Sequence, residues 1–410
     1  MKRRDFLTGV TGGVVVSASG VLLPRFALSD FISMGPAELP SGARESAVLE
    51  ALPGKKPLIK RSFRPPNFET PLTYFNKLFT PNDVFFVRYH VVNIPKVNGQ
   101  EWKLRIGGES VEKPLEFTME ELKRNFERVE IAAVNQCSGN RRGLVQPHVP
   151  GVQWGYGAMG NAQWKGVRLK EVLNKAGIKK DALEVVLDGT DSASIATTPD
   201  FIKSLPLWKA LDENTLIAFE MNGEPLPHWN GYPARLVVPG WTATYWVKHI
   251  TSIDVIAKPF DGFWMKTAYR VPKGAFPMVD RFLSQETEGN TPITEMMVNS
   301  LITNIEDGQS FRLGQWIEVK GIAWDGGYGV QRVEISTDEG KLWRLAELGK
   351  DYGRFSWRQW NSRFKPNKKG VHSLMVKATN RIGGTQTFQL IQNPEGYHHN
   401  LVQKLNLVVA

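Results

Sequence analysis

The chain contains a single cysteine, Cys137, in the segment NQCSGNRR at residues 135–142. Arg141 and Arg142 follow it by four and five residues, and nearby positive charge favours the thiolate, the form of cysteine that ligates a metal. A lone cysteine is as often a small apolar residue of the core, and a nucleophile activated by His148 is a third alternative. This segment alone leaves all three roles open.

The cysteine count excludes several kinds of site. One cysteine cannot form an intrachain disulfide, a CxxC redox pair, a zinc site with two or four cysteines, a cysteine-ligated iron–sulfur cluster or a CxxCH haem attachment. A functional thiol in this chain must therefore act alone or with a cofactor that brings its own ligands.

A second group of candidate residues lies in VFFVRYH, residues 84–90. Side chains alternate along a strand, so Phe86, Arg88 and His90 are predicted to share one face. Two groups that can carry positive charge on an otherwise apolar strand indicate a buried anion as their partner. The alternative is a strand whose polar face is exposed to solvent.

Two further candidates follow in the middle of the chain. Arg235 opens an apolar run in GYPARLVVPG, residues 231–240, and Lys248 closes the segment after it. These cations are suited to hold a phosphate, but no Walker or Rossmann glycine pattern accompanies them, and a surface Arg and Lys flanking a core strand is equally consistent. Tyr269 and Arg270, at the end of the run FWMKTAYR, are a weaker candidate.

The secondary-structure elements that must position these residues indicate two domains with different sequence patterns. A length of 410 residues is sufficient for two domains. Residues 81–280 alternate strand-like runs with helical patterns, the clearest helix being 167–176 before Gly177. Residues 281–410 have short alternating runs separated by turn signals, which predicts an all-β sandwich of immunoglobulin type. The predicted fold class is therefore α+β. The strand candidates are 84–87, 131–134, 183–187, 236–238 and 250–256 in the first region, and 296–302, 316–323, 330–336, 371–378 and 385–391 in the second.

The N-terminal residues are predicted to lie outside this fold. Residues 1–29 begin with a twin-arginine pattern, RRDFL, followed by a glycine-diluted apolar stretch too short for a comfortable transmembrane helix. This predicts a cleaved export signal to the periplasm and no membrane span, with an uncleaved anchor as the alternative. Twin-arginine export carries folded proteins, which points to a cofactor inserted before export. Residues 30–80, rich in Pro, Gly and Ser, are predicted to form an extended arm.

The composition is that of an ordinary folded protein, and the net charge is positive. Lys+Arg 51 against Asp+Glu 41 gives +10, and mean hydropathy is −0.28. The sequence has no run of five Lys or Arg residues, which argues against a nucleic-acid partner. The charge is better explained by steering toward an anionic substrate or an acidic protein partner.

Taken together, the candidate segments resemble the sulfite oxidase family of molybdopterin enzymes. The motifs that carry the resemblance are C-x-G-N-R-R at 137–142, G-x-x-W at 151–154, G-A-x-G-N-A at 157–162 and W-x-G-V-x-L at 164–169. FEMNGEPLP at 219–227 and GIAWDGG at 321–327 are also similar to the family. The resemblance covers the chain after the signal and arm, and within the family it is strongest to the molybdenum subunit of periplasmic bacterial sulfite dehydrogenases.

This resemblance implies a role for each candidate residue. Cys137 would be the protein ligand of molybdenum, beside the sulfurs of one molybdopterin. Arg88, Arg142 and Tyr269, with His90 beside them, would form the catalytic pocket for an oxyanion. The implied cofactor-binding residues are Phe86, Arg88, His90, Asp191, Asn230, Arg235, Trp246 and Lys248. Of these, Asp191 aligns poorly, and Asn230 stands where many relatives have His. Arg358 is a further candidate, from the second domain.

The function implied by the resemblance is oxidation of sulfite to sulfate. Electrons would pass singly to a cytochrome c or a dedicated haem c subunit, because this chain has no haem-attachment motif, and the assembly would be a homodimer or a heterodimer. One alternative is a molybdopterin-dependent sulfoxide reductase of the same fold, whose relatives look like single-domain proteins. The other is a non-catalytic periplasmic binding protein, in which Cys137 would be a core residue.

Overall fold

The computed structural model describes residues 48–195, 197–276 and 282–410. The predicted signal peptide and the first part of the predicted arm, residues 30–47, lie outside the described residues. Residues 48–80 form more than an extended arm, because they supply three strands of a four-stranded antiparallel sheet. The sheet consists of Leu49–Glu50, Leu58–Ser62, Asn67–Glu69 and Val87–Arg88.

Two larger sheets form the centre of the first region. One contains Lys203–Pro206, Glu184–Gly189, Ile250–Ile256, Lys103–Gly107 and Leu115–Thr118 in that order, antiparallel except for the parallel pairing of Ile250–Ile256 with Lys103–Gly107. The other contains Glu224–Pro225, Leu216–Met221, Met159–Arg168 and Arg128–Gln136, with Arg235–Val237 paired to Leu216–Met221. The α-helices are short and lie at Met119–Asn125, Leu169–Ala176, Leu207–Ala210 and Phe263–Lys266.

The helix predicted at 167–176 is confirmed, with its start two residues later at Leu169–Ala176. Its first two predicted residues still belong to the strand Met159–Arg168, which pairs on both sides. Leu173 and Ala176 are among the buried residues on its core face. Gly177 ends the helix at φ +74°, a conformation that favours glycine.

The second region is a β-sandwich, as its alternating sequence predicts. A short pair, Arg270–Pro272 with Asn290–Pro292, precedes it. One sheet contains Asn299–Ile302, Ile317–Trp324, Arg358–Phe364 and Glu347–Leu348. The facing sheet contains Ser310–Phe311, Gln403–Val409, Gly370–Asn380, Val330–Ser336 and Arg344–Leu345. Apolar side chains from both sheets, among them Val319, Val333 and Leu405, form a common core.

One strand prediction in the sandwich is wrong. Residues 385–391 make only isolated bridges through Thr385 and Thr387. The place beside Gly370–Asn380 is taken by Gln403–Val409, which pairs with it over seven residues. The alternating pattern of residues 385–391 therefore did not make them a strand, because Gln403–Val409 occupies the edge of Gly370–Asn380 with which they would have paired.

No helix among the described residues is long and apolar enough to cross a membrane.

The sheet of the N-terminal segment is tied to the loop beside Cys137 through Glu69. This carboxylate is 1% exposed and accepts hydrogen bonds from the backbone N–H groups of Gly155 (2.6 Å) and Gly157 (2.9 Å). It also forms an ion pair with Arg61. The adjoining carbonyl of Ala158 accepts the backbone N–H of Cys137 (2.9 Å), so Glu69 supports the backbone that holds the cysteine.

We predict that Glu69→Ala destabilises the protein by about 3 kcal/mol, because it leaves two buried N–H groups and a partly buried guanidinium unpaired. The matched control is Glu50→Ala, which removes the partner of Lys60 in the same sheet at a more exposed site and should cost under about 1 kcal/mol. Urea unfolding of both variants measures the difference. Equal losses would contradict the anchoring role of Glu69.

Candidate active site

Most of the predicted site residues converge on one cavity in the first region. Its walls come from segments that are far apart in the sequence. The lining residues are Phe86, Arg88, His90, Asn135, Cys137, Ser138, Phe201, Trp229, Asn230, Arg235, Ala243, Thr244, Trp246, Lys248 and Tyr269.

Cys137 reaches the cavity from the end of the strand Arg128–Gln136. A tight turn follows at once, in which the backbone N–H of Asn140 donates to the Cys137 carbonyl (3.0 Å). The Asn140 side-chain oxygen accepts the N–H of Ala158 (3.1 Å), which closes the loop against the neighbouring strand. Hydrogen bonds on both sides of Cys137 therefore fix its backbone, while its thiol lines the cavity.

The predicted alternation around Arg88 is confirmed, although the regular strand is only Val87–Arg88. Phe86, Arg88 and His90 line the cavity, whereas Val87 and Tyr89 are fully buried in a separate apolar cluster. Of the predicted strand 84–87, Val84 ends a 3-10 turn, Asn82–Val84, and only Val87 belongs to the regular strand. The segment is extended enough to alternate its side chains but pairs with a neighbour over only two residues.

Arg88 is oriented by the N-terminal sheet. Its guanidinium donates to the side-chain oxygen of Asn67 (3.1 Å) and to the carbonyl of Tyr89. The Asn67 amide is itself fixed by donation to Ser62 Oγ (2.7 Å). A residue of the predicted arm thus sets the direction of a cation at the cavity wall.

Lys248 and Arg235 bring two more cationic groups to the same wall. Lys248 Nζ donates to the carbonyl of Arg88 (2.8 Å), and burial lowers its pKa to about 7. Arg235 donates to the carbonyls of Asn230 and Trp246 (3.0 Å each), and burial lowers its pKa to about 9. Buried cations that bond only neutral carbonyls are suited to accept an anion from the cavity.

His90 and Tyr269 form a hydrogen-bonded pair between His90 Nε2 and the phenol oxygen. Phe201 stacks on the imidazole with ring centroids 3.7 Å apart. Burial, and then the charges of Arg88 and Lys248, lower the pKa of His90 well below its ordinary value. Burial raises the pKa of Tyr269, so the pair is a neutral imidazole beside a neutral phenol at neutral pH.

Several buried polar atoms at the cavity wall have no hydrogen-bond partner within residues 48–195, 197–276 and 282–410. They are His90 Nδ1, Asn135 Nδ2, Ser138 Oγ, Arg235 Nε and Thr244 Oγ1. Buried polar groups are nearly always paired, so these atoms indicate a ligand with several hydrogen-bonding groups. Three of them belong to residues that sequence reasoning missed: Asn135 and Ser138 lie on either side of Cys137 in NQCSGNRR, and Thr244 lies in the segment that ends at Lys248.

Phe201 and Ala243 were also missed, and nothing in their local sequence marks them. Phe201 follows a loop rather than a patterned strand, and its position depends on the packing of His90 against it. The amide of Asn230 lines the cavity but is largely engaged by protein. Its oxygen accepts from Lys55 Nζ (2.5 Å), and its nitrogen donates to the carbonyl of Phe86 (3.1 Å).

Three predicted residues do not line the cavity. Arg142 donates to the carbonyl of Glu395 (2.5 Å) and lies behind the wall. Asp191 is buried close to Lys248, whose charge partly offsets the rise in the pKa of Asp191 caused by burial. Arg358 is bound to Asp351 (3.1 Å) at a separate position on the sandwich.

A metal at this site would have Cys137 as its thiolate ligand. In the part of the chain that the structure describes, no group of three or more His, Cys, Asp or Glu residues is arranged to hold a metal ion. Molybdenum bound to a pterin dithiolene needs only one protein sulfur, and thiolate is a suitable soft ligand. The donor set, one thiol with buried cations and unpaired hydrogen-bonding atoms, therefore fits molybdopterin and its phosphate.

Comparison with known proteins agrees with this geometry. Residues 91–264 match the model of an oxidoreductase molybdopterin-binding domain, and residues 290–409 match that of a Mo-co oxidoreductase dimerisation domain. Mitochondrial sulfite oxidase of Macaca fascicularis is 35% identical over 75% of this chain and 57% of that protein. Sulfite oxidase of Arabidopsis thaliana is 32% identical over 76% of this chain and 82% of that protein.

The fold is shared with a solved structure as well. The sulfane dehydrogenase SoxCD from Paracoccus pantotrophus superposes with a TM-score of 0.71 and 24% identity, over 96% of this chain and 93% of that chain. The chain spans 57% of the length of the Macaca fascicularis and Homo sapiens sulfite oxidases that it matches. Fold and site together define a molybdopterin-dependent oxidoreductase. Within that class, the chain belongs to the sulfite oxidase family.

We predict that the cofactor-free protein binds sulfate in this cavity more weakly as the pH rises. Lys248, with its pKa of about 7, must hold its proton to pair with a buried dianion, so binding takes up a proton above that pH. The dissociation constant at about pH 8.5 should exceed that at about pH 6.5 on the order of tenfold, as measured by calorimetry.

The matched variant is Lys248→Arg, whose guanidinium stays charged over this range. It should bind sulfate with a much flatter pH dependence. An unchanged pH dependence in that variant would assign the proton to another group.

Proposed function

We propose that this protein oxidises sulfite to sulfate: one sulfite and one water give one sulfate, two protons and two electrons. The observation that supports this most directly is the convergence of Cys137, Arg88, Lys248 and Tyr269 on one cavity. A thiolate suited to hold molybdenum lies among cations suited to hold an oxyanion. The sulfite oxidases among its relatives support the same substrate.

The cavity wall supplies the charge that a dianion needs. Sulfite carries two negative charges in a partly dry pocket, which is costly unless cations surround it. Arg88, fixed by Asn67, provides a guanidinium that can bind two oxygens at once. Lys248, whose ammonium lies over the ring of Tyr89 at 4.0 Å, adds a second cation nearby. Together these residues are suited to hold the substrate.

Tyr269 and His90 supply hydrogen bonds rather than charge. With its pKa raised by burial, Tyr269 keeps its proton and can donate it in a hydrogen bond to an oxygen of the oxyanion. His90 Nε2 then donates to the phenol oxygen, which strengthens the phenol as a donor through a polarised chain. The pair thus orients the oxyanion and takes up none of the protons that the reaction releases.

Residues of the same cavity wall are also suited to bind the cofactor. Cys137 would hold molybdenum, while Arg235, Lys248 and the hydroxyl of Thr244 would hold the pterin and its phosphate. When bound, the molybdenum centre transfers oxygen and accepts the two electrons. The aromatic side chains of Phe86 and Trp246 form an apolar part of the cavity wall.

Cytochrome c is proposed as the electron acceptor, either as a free protein or as a dedicated haem subunit. The two electrons must leave to another redox group, and the single cysteine of this sequence cannot form a CxxCH haem attachment. The basic balance of the chain favours an acidic docking surface on that partner. The match of residues 290–409 to a dimerisation domain supports pairing through the sandwich, with a second copy or with the haem subunit.

A periplasmic location is proposed from the sequence of residues 1–29. The twin-arginine pattern with its glycine-diluted apolar stretch is typical of export after folding. Export of a folded chain is consistent with a buried cofactor, because the cavity walls come from segments throughout the first region and close only in the folded state.

We predict that Cys137→Ser leaves a folded protein without sulfite oxidation, because the hydroxyl is a poor ligand for a soft metal site. The purified protein should contain one molybdenum per chain and reduce cytochrome c in the presence of sulfite, whereas the variant should lose at least about a thousandfold of that activity. Molybdenum analysis accompanies the assay. A wild-type protein without molybdenum would support a binding function, and undiminished activity in the variant would exclude Cys137 as the ligand.

We predict that Arg88→Met raises the KM for sulfite at least about tenfold, because a charge-assisted hydrogen bond to the dianion is lost. The control is Arg105→Met, which removes an exposed guanidinium paired with Asp254 and should leave KM unchanged. Steady-state kinetics with cytochrome c measures both. An unaltered KM for Arg88→Met would remove Arg88 from the substrate pocket.

A further inference from the structure

A loop of the second domain, residues 393–401, lies directly behind the cavity and is bound to the cysteine motif. Arg141 Nη1 donates to the carbonyl of Leu401 (3.1 Å). Arg142 Nε donates to the carbonyl of Glu395 (2.5 Å). Both arginines after the cysteine are thus used to fasten this loop to the first domain.

Tyr397 is a residue of this loop that contacts Tyr269, one of the residues that line the cavity. Its ring stacks on Tyr269 with centroids 5.4 Å apart and planes at 14°. The guanidinium of Arg142 lies 5.2 Å from the centroid of the same ring. Tyr397 is therefore held between a cation of the cysteine motif and the phenol that lines the cavity, and it is 4% exposed.

The backbone of Tyr397 is clamped by Asn393. The side-chain oxygen of Asn393 accepts the Tyr397 N–H (2.9 Å), and its amide donates to the Tyr397 carbonyl (2.9 Å). Gly396 lies against the first domain so closely that an added Cβ would come within 2.8 Å of Val149. The loop therefore has little freedom to shift the ring.

Tyr269 depends on such support. Its φ of +61° is in the left-handed region, which is strained for a residue with a side chain. Its carbonyl accepts the N–H of Ile293 (2.9 Å), and its hydroxyl is bound to His90. These bonds hold the backbone carbonyl and the phenol oxygen but leave the ring free to rotate about its long axis. The parallel ring of Tyr397, together with Lys203 Nζ at 5.1 Å from the ring centroid, limits that rotation.

We propose that Tyr397 is a positioning residue for the reaction centre: its ring sets the plane of Tyr269, so that the second domain completes the active site of the first. The proposal rests on the proposed function in taking the oxyanion as the ligand that Tyr269 meets. The ring is the effective group, because the parallel stack with Tyr269 and the contact with Arg142 both use its faces. A phenol O–H prefers the plane of its ring, so rotation of the Tyr269 ring would turn the O–H away from the oxyanion, and catalysis is sensitive to such errors.

The test compares Tyr397→Phe, which keeps the ring, with Tyr397→Leu and Tyr397→Met, which remove it. In the holoenzyme, Tyr397→Phe should stay within about twofold of wild type in kcat and KM. Tyr397→Leu should lose about tenfold or more in kcat/KM at unchanged molybdenum content, and Tyr397→Met serves if the leucine variant does not fold. The control is Tyr352→Leu, another aromatic of the sandwich, which packs against Phe79 of the N-terminal segment (centroids 6.3 Å), and it should match wild type.

A second measurement distinguishes a positioning role of Tyr397 from a general loss of structure. It also tests Tyr397 independently of whether the protein oxidises sulfite. Sulfate affinity of the oxidised holoenzyme, measured by calorimetry, should fall several-fold in Tyr397→Leu and remain unchanged in Tyr397→Phe and Tyr352→Leu. Wild-type activity in Tyr397→Leu together with unchanged sulfate affinity would overturn the proposal, as would equal losses in the phenylalanine and leucine variants. A wild-type enzyme inactive with sulfite would contradict the proposed function alone, since the sulfate comparison still tests Tyr397.

Discussion

Positive charge held out of water around one cavity is the constraint that organises this molecule. Arg88, Arg235 and Lys248 line the same space, yet their protein partners there are neutral oxygens. Concentrating cations in this way is unfavourable until an anion enters, and the lowered pKa of Lys248 and Arg235 expresses that cost. The rest of the fold has to keep these groups in place against their mutual repulsion.

The support comes from three parts of the chain. The N-terminal sheet orients Arg88 through Asn67 and anchors the loop beside Cys137 through Glu69. The two larger sheets bring the ends of their strands to the cavity. The sandwich contributes its loop at 393–401, to which both arginines of the cysteine motif are fastened. The site is thus assembled from parts that would each be incomplete without the others.

Sequence reasoning succeeded where a local pattern carries the physical information. The period-two alternation of Phe86, Arg88 and His90 survives in the structure even though the regular strand there is two residues long. Cys137 was likewise identifiable as a candidate, because a cysteine followed closely by two arginines is a local feature of the sequence. Reasoning failed where a partner had to be known: residues 385–391 alternate like a strand, but the edge that they would need is occupied by Gln403–Val409.

The same division holds at the site. Residue type and spacing were enough to nominate Cys137, the cations and Tyr269, because charge, softness and alternation are properties of short segments. Contacts between distant segments were decided by the tertiary structure. Only packing shows that Arg142 faces Glu395 and Tyr397 instead of the cavity, that Asn230 is bound by Lys55, and that Phe201 stacks on His90. A side chain's chemistry is a property of its own segment, whereas its partner is chosen by which distant segments the folded core brings within a few ångströms of it.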